Sequence, residues 1–388
     1  MTTDKGVWNL QQVRDKQLQS LWSYSTNVLS LYSWGYNAGG ELGVNNKTQY
    51  SSPVQVGSDT TWAKIMAGTE GSSAAIKNDG TLWTWAKNSY GALGHNNQTV
   101  YSSPKQIPGT TWNEVNGQQQ GMTATKTDGT LWTWGQNSDG QLGQNEGNAN
   151  YTQRSSPVQV GSDTDWNKPV DSRSKCGAAI KTDGTLWTWG ENEEGRLGHN
   201  NQTKYSSPVQ VPGTWATAVI GRNASLATKT DGTLWAWGDN TQGELAQNHR
   251  DERSSPVQIP GSTWGTGAGS LVSSDEWAGA LKTDGTLWFW GRNEYGQLGQ
   301  NDDGDRYSSP VQVPGTTWRT VFSGHKSAFA TKTDGTLWSW GYGKRSNRAL
   351  LGLNSTTYYS SPVQVGSETD WHSNLGGSYF TTFGMRMN

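Results

Sequence analysis

The sequence predicts an all-β fold, a seven-bladed β-propeller closed by its N- and C-terminal strands and preceded by a short helical segment. Three observations predict this fold: a motif that recurs seven times, a repeat length of about fifty residues, and tryptophans at fixed positions in each repeat. Repeats of this length are typical of propeller blades and too long for short solenoid units. A fixed period over 388 residues favours one closed domain over two or three separate ones.

The repeated motif is seen at residues 126–135, which read Lys-Thr-Asp-Gly-Thr-Leu-Trp-Thr-Trp-Gly. Asp-Gly between two β-prone runs predicts a hairpin, because glycine accepts positive φ and aspartate tolerates it. Side chains alternate along a strand, so Trp132 and Trp134 share one face while Leu131 and Thr133 occupy the other. Both faces carry packing groups, as expected for a blade between two neighbouring blades. The second tryptophan of the motif recurs as Trp34, Trp85, Trp134, Trp189, Trp237, Trp290 and Trp340.

Each motif is followed by a second block with glycines, a serine-proline sequence and a further tryptophan. Glycine suits turns, and proline suits a strand start or an edge where no amide donor is needed. Twenty of the 23 tryptophans lie at three repeat positions, and Trp8, Trp22 and Trp277 lie elsewhere. Each buried tryptophan removes roughly 150–250 Å² from water, so this set can sustain a core although 31% of the residues are hydrophobic. The further tryptophans are Trp62, Trp112, Trp166, Trp215, Trp264, Trp318 and Trp371.

These motifs resemble those of a known repeat family. Residues 134–143 and 290–299 share the pattern Trp-Gly-x-Asn-x-x-Gly-Gln-Leu-Gly, and Thr-Asp-Gly-Thr-Leu-Trp recurs before it. Both patterns are similar to the regulator of chromosome condensation repeat, which forms seven-bladed β-propellers. The resemblance covers residues 25–388 and implies the same fold there. The family's functions include guanine-nucleotide exchange with chromatin binding and secreted inhibition of β-lactamases, so membership alone does not select a function.

The two ends of the chain predict how the ring closes. The first motif lacks its preceding hairpin half, while residues 377–383 align with residues 326–332, the hairpin half of the last complete motif. We therefore predict that residues 378–383 pair with residues 28–34 in one blade.

Residues 1–24 form a second predicted unit, an amphipathic helical anchor before the propeller at 25–388. Asp4 can cap a helix, and the apolar residues fall within one helical stripe. Two interpretations remain open: the helix folds onto its own propeller, or it docks into a larger assembly and supports homo-oligomers. Residues 6–10 also resemble the openings of some phage virion proteins, which suggests a virion-associated member of the family. The candidate anchor residues are Trp8, Leu10, Leu18, Leu21 and Trp22.

The most divergent part of the repeat predicts where binding takes place. It lies between the further tryptophan and the next Asp-Gly, and in the resembling propellers it lines one rim of the ring. Aromatic and arginine side chains are typical of binding surfaces. Plain variation of solvated loops is the alternative explanation. The rim candidates are Trp277, Glu276, Arg222, Arg173 and His325.

Composition and missing motifs exclude several classes of function. The net charge is −2 without a basic tail, which argues against nucleic-acid binding. No apolar run has membrane-spanning length and no secretory signal is visible, so we expect cytoplasmic synthesis without membrane insertion. No catalytic motif or metal-ligand spacing occurs, so we expect no enzyme activity, no cofactor and no metal.

Two functional hypotheses remain. The first is a structural or adhesive module, most simply a phage tail-associated or surface protein located at a virion or extracellular surface. It would dock through its N-terminus and present a rim to a virion subunit, a host surface protein or a glycan in host attachment. The alternative is a soluble regulatory propeller that acts as a guanine-nucleotide exchange factor or protein inhibitor. The uniform repeats contain no inserted wedge that could displace a nucleotide, which counts against nucleotide exchange. No signal peptide is visible, which counts against secreted inhibition.

Overall fold

The computed structural model confirms the seven-bladed β-propeller and describes residues 28–68, 70–146, 152–345 and 348–387. Each blade is an antiparallel sheet with four principal strands. The first strand of each blade lines a central channel, and the fourth lies at the periphery. The predicted helix at 1–24 and its anchor residues Trp8, Leu10, Leu18, Leu21 and Trp22 lie outside the described residues. Within the described ranges, no helix is long and apolar enough to span a bilayer.

Blades 1 to 3 each contain four strands, which follow one another from the channel outwards. Blade 1 consists of Trp62–Ala67, Ser72–Lys77, Leu82–Ala86 and Tyr101–Ile107, with a short 3-10 turn at Ser89–Gly91. Blade 2 consists of Trp112–Gln118, Gly121–Lys126, Leu131–Gly135 and Arg154–Gln159. Blade 3 consists of Trp166–Pro169, Cys176–Lys181, Leu186–Gly190 and Tyr205–Val211.

Blades 4 to 6 follow the same order with small additions. Blade 4 consists of Trp215–Ile220, Ala224–Lys229, Leu234–Gly238 and Arg253–Ile259, and Asp171–Ser172 of blade 3 pairs with its inner edge. Blade 5 consists of Leu271–Ser273, Trp277–Leu281, Leu287–Arg292 and Arg306–Val313. Blade 6 consists of Trp318–Ser323, Ser327–Lys332, Leu337–Gly341 and Tyr359–Gln364, with a small hairpin of Lys344–Arg345 and Arg348–Ala349.

Blade 7 closes the ring, as predicted, because it combines strands from both ends of the described chain. From the channel outwards it consists of Trp371–Gly377, Thr381–Met387, Leu29–Gly35 and Tyr50–Gln55. The pairing is confirmed, but the predicted C-terminal strand began three residues and ended four residues too early, since Gly35 pairs with Thr381 and Leu29 pairs with Met387. Residues 378–380 form the preceding turn instead, in which the Ser378 N–H donates to the Thr381 carbonyl over 2.8 Å.

In six of the seven motifs the second tryptophan donates a hydrogen bond to the preceding blade, whereas the Trp34 indole N–H has no partner among the described residues. All seven of these indoles are fully buried. The Trp134 Nε1 donates to the Ala92 carbonyl of blade 1 over 2.9 Å, and the Trp237 Nε1 donates to the Arg196 carbonyl of blade 3 over 2.7 Å. A buried indole N–H needs such an acceptor, so this repeated bond aligns adjacent blades as well as filling the core.

One position of blade 1 departs from the repeat. The residue after the second tryptophan is Ala86, which is buried with a φ of 78°. An alanine in this left-handed region is strained. The Lys87 N–H lies 3.3 Å from the Gly71 carbonyl, whereas the matching bonds of the other blades measure 2.8 to 3.1 Å. The matching residues, with φ from 91° to 110°, are Gly35, Gly135, Gly190, Gly238, Gly291 and Gly341.

Ala86→Gly is expected to raise the free energy of unfolding by about 0.5–1 kcal/mol, because glycine removes the left-handed strain at some cost in chain entropy. Urea denaturation measures the change. Gly341→Ala is the matched control and should destabilise, because a Cβ there would lie 2.6 Å from the Lys326 carbonyl oxygen. A lower free energy of unfolding for Ala86→Gly would contradict the interpretation that Ala86 is strained.

Candidate binding surface at the channel mouth

The central channel has a volume of about 380 Å³ and is lined by the inner strands of all seven blades. At one end of it lie the turns between the first and second strands of the blades, and we call this end the mouth. In each blade, a backbone N–H two residues after the second tryptophan donates to a carbonyl in this turn, as the Tyr342 N–H donates to the Lys326 carbonyl over 2.8 Å. The residue immediately before that carbonyl occupies an equivalent position in every turn. We call these seven residues the mouth ring: Glu70, Gln119, Ser174, Arg222, Asp275, His325 and Tyr379.

Three members of the mouth ring contact the carboxylate of a fourth, Asp275, and the four belong to consecutive blades. Asp275 accepts a hydrogen bond from the Tyr379 hydroxyl over 2.9 Å. Its other oxygen lies 3.2 Å from the His325 Nε2 and 3.4 Å from an Arg222 guanidinium nitrogen. The Arg222 side chain is 54% exposed and that of Asp275 is 11% exposed. The carboxylate is therefore held at the base of the mouth, while the arginine remains accessible.

The surroundings of Asp275 shift the proton affinities of this network. Burial alone would raise the pKa of Asp275, but the hydrogen bonds and charges around it, led by His325 and followed by Tyr379 and Arg173, hold that pKa below its usual value. Burial and the neighbouring Asp275 carboxylate raise the pKa of Tyr379 well above its usual range. Asp275 is thus ionised and Tyr379 is neutral at physiological pH, which fixes the direction of their hydrogen bond.

Arg173 spans the channel just inside the mouth ring. It belongs to blade 3, and its guanidinium donates to the Gly324 carbonyl of blade 6 over 3.1 Å and the Gly377 carbonyl of blade 7 over 3.2 Å. It also contacts the Ser323 carbonyl. Arg173 is 5% exposed, so these bonds form away from water. One side chain thereby ties opposite sides of the ring together.

Arg173→Met is expected to lower the free energy of unfolding by about 2–3 kcal/mol, because buried carbonyls lose a charged donor and Asp275 loses a nearby positive charge. Urea denaturation measures the loss. Arg222→Met is the matched control, since its ion pair is half exposed and contributes less than about 1 kcal/mol. Equal losses for the two variants would contradict the bridging role of Arg173.

Aromatic rings lie outside the mouth ring on blades 5 to 7. The Tyr295 ring centroid lies 4.8 Å from that of Tyr342 and 5.6 Å from that of Tyr358, and the Lys326 ammonium lies 4.5 Å from the Tyr295 ring. On blade 7, the Phe380 ring lies 5.8 Å from the Tyr379 ring and 6.2 Å from the Tyr36 ring. Tyr358 is 46% exposed. We call this set the aromatic patch: Tyr36, Tyr295, Tyr342, Tyr358 and Phe380.

The predicted rim residues do not all reach the surface. Trp277 is 1% exposed and lies inside blade 5, so its predicted place on an accessible rim is wrong. Its ring packs 5.4 Å from that of Phe289, where Gly279 leaves room because a Cβ there would clash with Phe289. The large Trp277 and Phe289 side chains are therefore accommodated in the core by the small Gly279. Arg173 is also buried, although it borders the mouth.

The other rim candidates divide into two groups. Arg222 and His325 meet at Asp275, whereas the Glu276 carboxylate pairs with the Arg292 guanidinium over 2.7 Å. Sequence reasoning did not select Asp275 or Tyr379. Both occupy the position of Arg222 and His325 in their own blades, so a three-residue correction of the C-terminal alignment would have found Tyr379. The binding role of the rim candidates remains a prediction.

The described residues contain no group of three or more histidine, cysteine, aspartate or glutamate side chains arranged to hold a metal ion. The mouth instead offers fixed hydrogen-bond donors and acceptors, one accessible guanidinium and aromatic rings. Such an arrangement can recognise a partner without changing it chemically.

Comparison with known proteins assigns the family. The model of the Regulator of chromosome condensation (RCC1) repeat matches more than half of the chain, so the chain belongs to this repeat family. The matched residues are 30–75, 79–116, 128–177, 183–227, 231–265 and 284–331.

Several curated proteins share part of this sequence. The chain is 26% identical over 300 residues to the human E3 ubiquitin-protein ligase HERC2, a match that covers 76% of this chain and 5% of that protein. It is 29% identical over 129 residues to human Protein RCC2, covering 32% of this chain and 24% of that protein. The matches thus span a small part of either relative's length.

Solved structures share the fold over almost the whole chain. Prp20p from Saccharomyces cerevisiae superposes with a TM-score of 0.80 at 17% identity, covering 96% of this chain and 94% of that one. Human WBSCR16 gives a TM-score of 0.80 at 16% identity, covering 93% of this chain and 99% of that one. At these identities the likeness shows the propeller fold alone.

Proposed function

We propose that this protein is a non-enzymatic, protein-binding propeller whose binding surface combines the mouth ring with the aromatic patch. One observation carries the proposal. A single repeat position holds Arg222, Asp275, His325 and Tyr379 in four consecutive blades, and their side chains form one network. The second tryptophan is the same in all seven repeats, whereas this position varies between them and faces the mouth.

The chemistry of the surface suits a protein partner. Tyrosine and arginine are enriched among the residues that dominate binding energy at protein interfaces. Arg222 and Tyr358 are each about half exposed, at 54% and 46%. The network around Asp275 also fixes the neighbouring side chains before a partner arrives, which lowers the entropy lost on binding.

Related proteins are consistent with a binding role. Prp20p is described with its binding to Gsp1p and histones, and yeast RCC1 (Prp20) has been solved bound to Kap60. Nucleotide exchange on a small GTPase and protein inhibition therefore remain the regulatory alternatives for this chain. A virion role, with a virion subunit or host glycan as the partner, is a further prediction from sequence. None of these relatives is described as a virion protein.

Tyr295 and Tyr90 allow a matched test of the surface. They occupy the same repeat position in blades 5 and 1, but Tyr295 belongs to the aromatic patch. Partners captured by the full chain are identified by mass spectrometry, purified, and titrated against Tyr295→Ala, Arg222→Ala and Tyr90→Ala. We expect the first two substitutions to weaken affinity at least tenfold, or about 1.4 kcal/mol, and Tyr90→Ala to leave it unchanged.

The titration can also reject the proposal. A partner whose affinity survives both mouth substitutions binds elsewhere, and equal weakening by Tyr90→Ala indicates a general loss of structure. Thermal melts of each variant separate these outcomes. Accelerated nucleotide release from a small GTPase would favour the exchange alternative over a passive binding module.

A further inference from the structure

A lysine lies between two tryptophan rings in six of the described blades. In blade 2, the Lys126 ammonium lies 4.8 Å from the Trp112 ring centroid and 3.9 Å from the Trp132 ring centroid. We call this arrangement the lysine nest, and it favours the cation through its attraction to the ring faces. The six lysines are Lys77, Lys126, Lys181, Lys229, Lys282 and Lys332.

The sequence of the linker before each blade determines whether a carboxylate also pairs with the lysine. Before blade 3 the linker reads Gly-Ser-Asp-Thr-Asp, and Asp163 and Asp165 lie 2.7 and 3.0 Å from the Lys181 ammonium. Before blade 1 the linker reads Gly-Ser-Asp-Thr-Thr, and Asp59 pairs with Lys77 in the same way. The repeat therefore shows that a lysine nest accepts a carboxylate.

Blade 5, like blades 2, 4 and 6, is preceded by a Pro-Gly linker without an acidic residue. Residues 260–263 read Pro-Gly-Ser-Thr, and the Pro260 carbonyl accepts the Trp264 Nε1 hydrogen bond over 3.3 Å. The Lys282 ammonium still lies between two rings, 4.9 Å from Trp264 and 4.3 Å from Trp288. Among the described residues, no carboxylate oxygen lies within 4.0 Å of the Lys282 ammonium, and Asp284 acts on this lysine only through its charge.

A cavity of about 320 Å³ lies beside Lys282. Its walls include Trp264, Trp288, Pro260 and Pro310, with Asn248 at one side. Its size falls within the range of small-molecule sites, which combine apolar walls with few polar groups. The cavity is separate from the mouth, because none of its lining residues belongs to the mouth ring or the aromatic patch.

We propose that this cavity binds a carboxylate attached to a planar apolar group. The carboxylate pairs with the Lys282 ammonium as Asp163 pairs with Lys181 in blade 3. The planar group packs against the Trp288 ring and the two prolines. A charge-assisted bond to a cation that is already partly removed from water gives the site its preference for an acid over a neutral analogue.

Phenylacetate is a suitable probe, and phenylacetamide is its neutral control. Isothermal titration of the full chain should give one site with a dissociation constant of about 1 mM, typical of a ligand of this size. The amide should bind at least about tenfold more weakly. Lys282→Met should also weaken phenylacetate about tenfold, whereas Lys332→Met, in the matched nest of blade 6, should not.

A linker exchange tests the position of the carboxylate independently. Replacing residues 261–263 with Ser-Asp-Thr-Thr, the matching part of the blade 1 linker, supplies an internal carboxylate to Lys282 and keeps Pro260 in the cavity wall. We expect phenylacetate binding to fall at least about tenfold, while the melting temperature stays close to that of the parent chain. An unchanged affinity in a folded exchange variant would place the ligand elsewhere and overturn the proposal.

Two further probes identify the source of the carboxylate. A protein C-terminus is indicated as the ligand if a Gly-Gly-Phe peptide with a free C-terminus competes with phenylacetate and the same peptide with an amidated C-terminus does not. Binding of phenylacetate alone indicates a small acid. The proposal fails if neither acid binds up to about 10 mM, if the amides bind equally well, or if Lys332→Met has the same effect as Lys282→Met.

Discussion

Deletion of residues 381–388 is expected to abolish cooperative unfolding of the propeller. The strand Thr381–Met387 lies between Leu29–Gly35 and Trp371–Gly377, so its loss removes both pairings that hold blade 7 together. Phe383 and Met385 are fully buried, and the Phe383 ring lies 5.7 Å from that of Trp85 in blade 1. Without this strand the ring has two unpaired edges and an open core. Calorimetry and urea denaturation should show a broad transition.

Complementation and a point substitution separate the closure from general damage. A synthetic peptide of residues 378–388, added to the deleted chain, should restore a cooperative melt. Phe383→Ala should keep a single transition and lower the free energy of unfolding by about 3–5 kcal/mol. Phe329→Ala in blade 6, at the matching strand position, should cost a similar amount. A deleted chain that melts as sharply as the parent would show that the ring does not depend on this closure.

The closure was predictable from sequence, but its register was not. Phe380 and Phe383 are three residues apart, and either can be aligned with Phe329 on hydrophobicity alone. The turn resolves the choice, because the Ser378 N–H donates to the Thr381 carbonyl as the Gly324 N–H donates to the Ser327 carbonyl. A short polar turn of this kind carries little sequence signal. The sequence therefore predicted that a C-terminal strand closes the ring, but it did not predict the residues at which that strand begins and ends.

The candidate site shows the same division. Divergence among the repeats selected the correct turns, because positions fixed by the fold cannot vary freely. It could not show that Arg222, Asp275 and His325 meet, since their contacts cross between blades. It also placed Trp277 on the surface, although Trp277 is buried beside Phe289, whose ring fills the space that Gly279 leaves. Such an exchange of volume requires the register of both strands.

Glu244→Gln is expected to stabilise the protein strongly above neutral pH. Glu244 is 1% exposed between blades 4 and 5, and one of its oxygens has no hydrogen-bond partner among the described residues. Burial raises the pKa of Glu244 to about 8, and the carboxylates of Asp239 and Glu276 contribute to the rise. The folded protein therefore holds this carboxyl protonated at neutral pH, and ionising it costs stability.

The sign of the pH dependence follows from this raised pKa. Below pH 4.5, the ordinary value for glutamate, the carboxyl is neutral in both folded and unfolded chains and costs nothing. Between pH 4.5 and 8 the unfolded chain ionises first, so the parent protein loses stability as pH rises. Above pH 8 the loss is complete and reaches on the order of 5 kcal/mol at most.

The repeat supplies the reason to expect that glutamine fits. Gln141 and Gln297 occupy the matching position in blades 2 and 5, and the side-chain oxygen of each accepts a backbone N–H over 2.8 Å. Glu244 accepts the Gln242 N–H over the same distance. Glutamine keeps this bond and cannot ionise. The difference in free energy of unfolding between variant and parent, measured by urea denaturation, should grow from near zero at pH 4.5 to a plateau above pH 8.

Glu41 provides the control for local charge. It holds the same position in blade 7 and is 7% exposed, and burial raises its pKa although Lys87 and Lys47 lower it. Glu41→Gln should therefore gain less than Glu244→Gln, while the reverse change Gln297→Glu should create a new loss of stability as pH rises. A Glu244→Gln gain that does not vary with pH would mean that packing, rather than ionisation of a buried carboxyl, limits stability at this seam between blades.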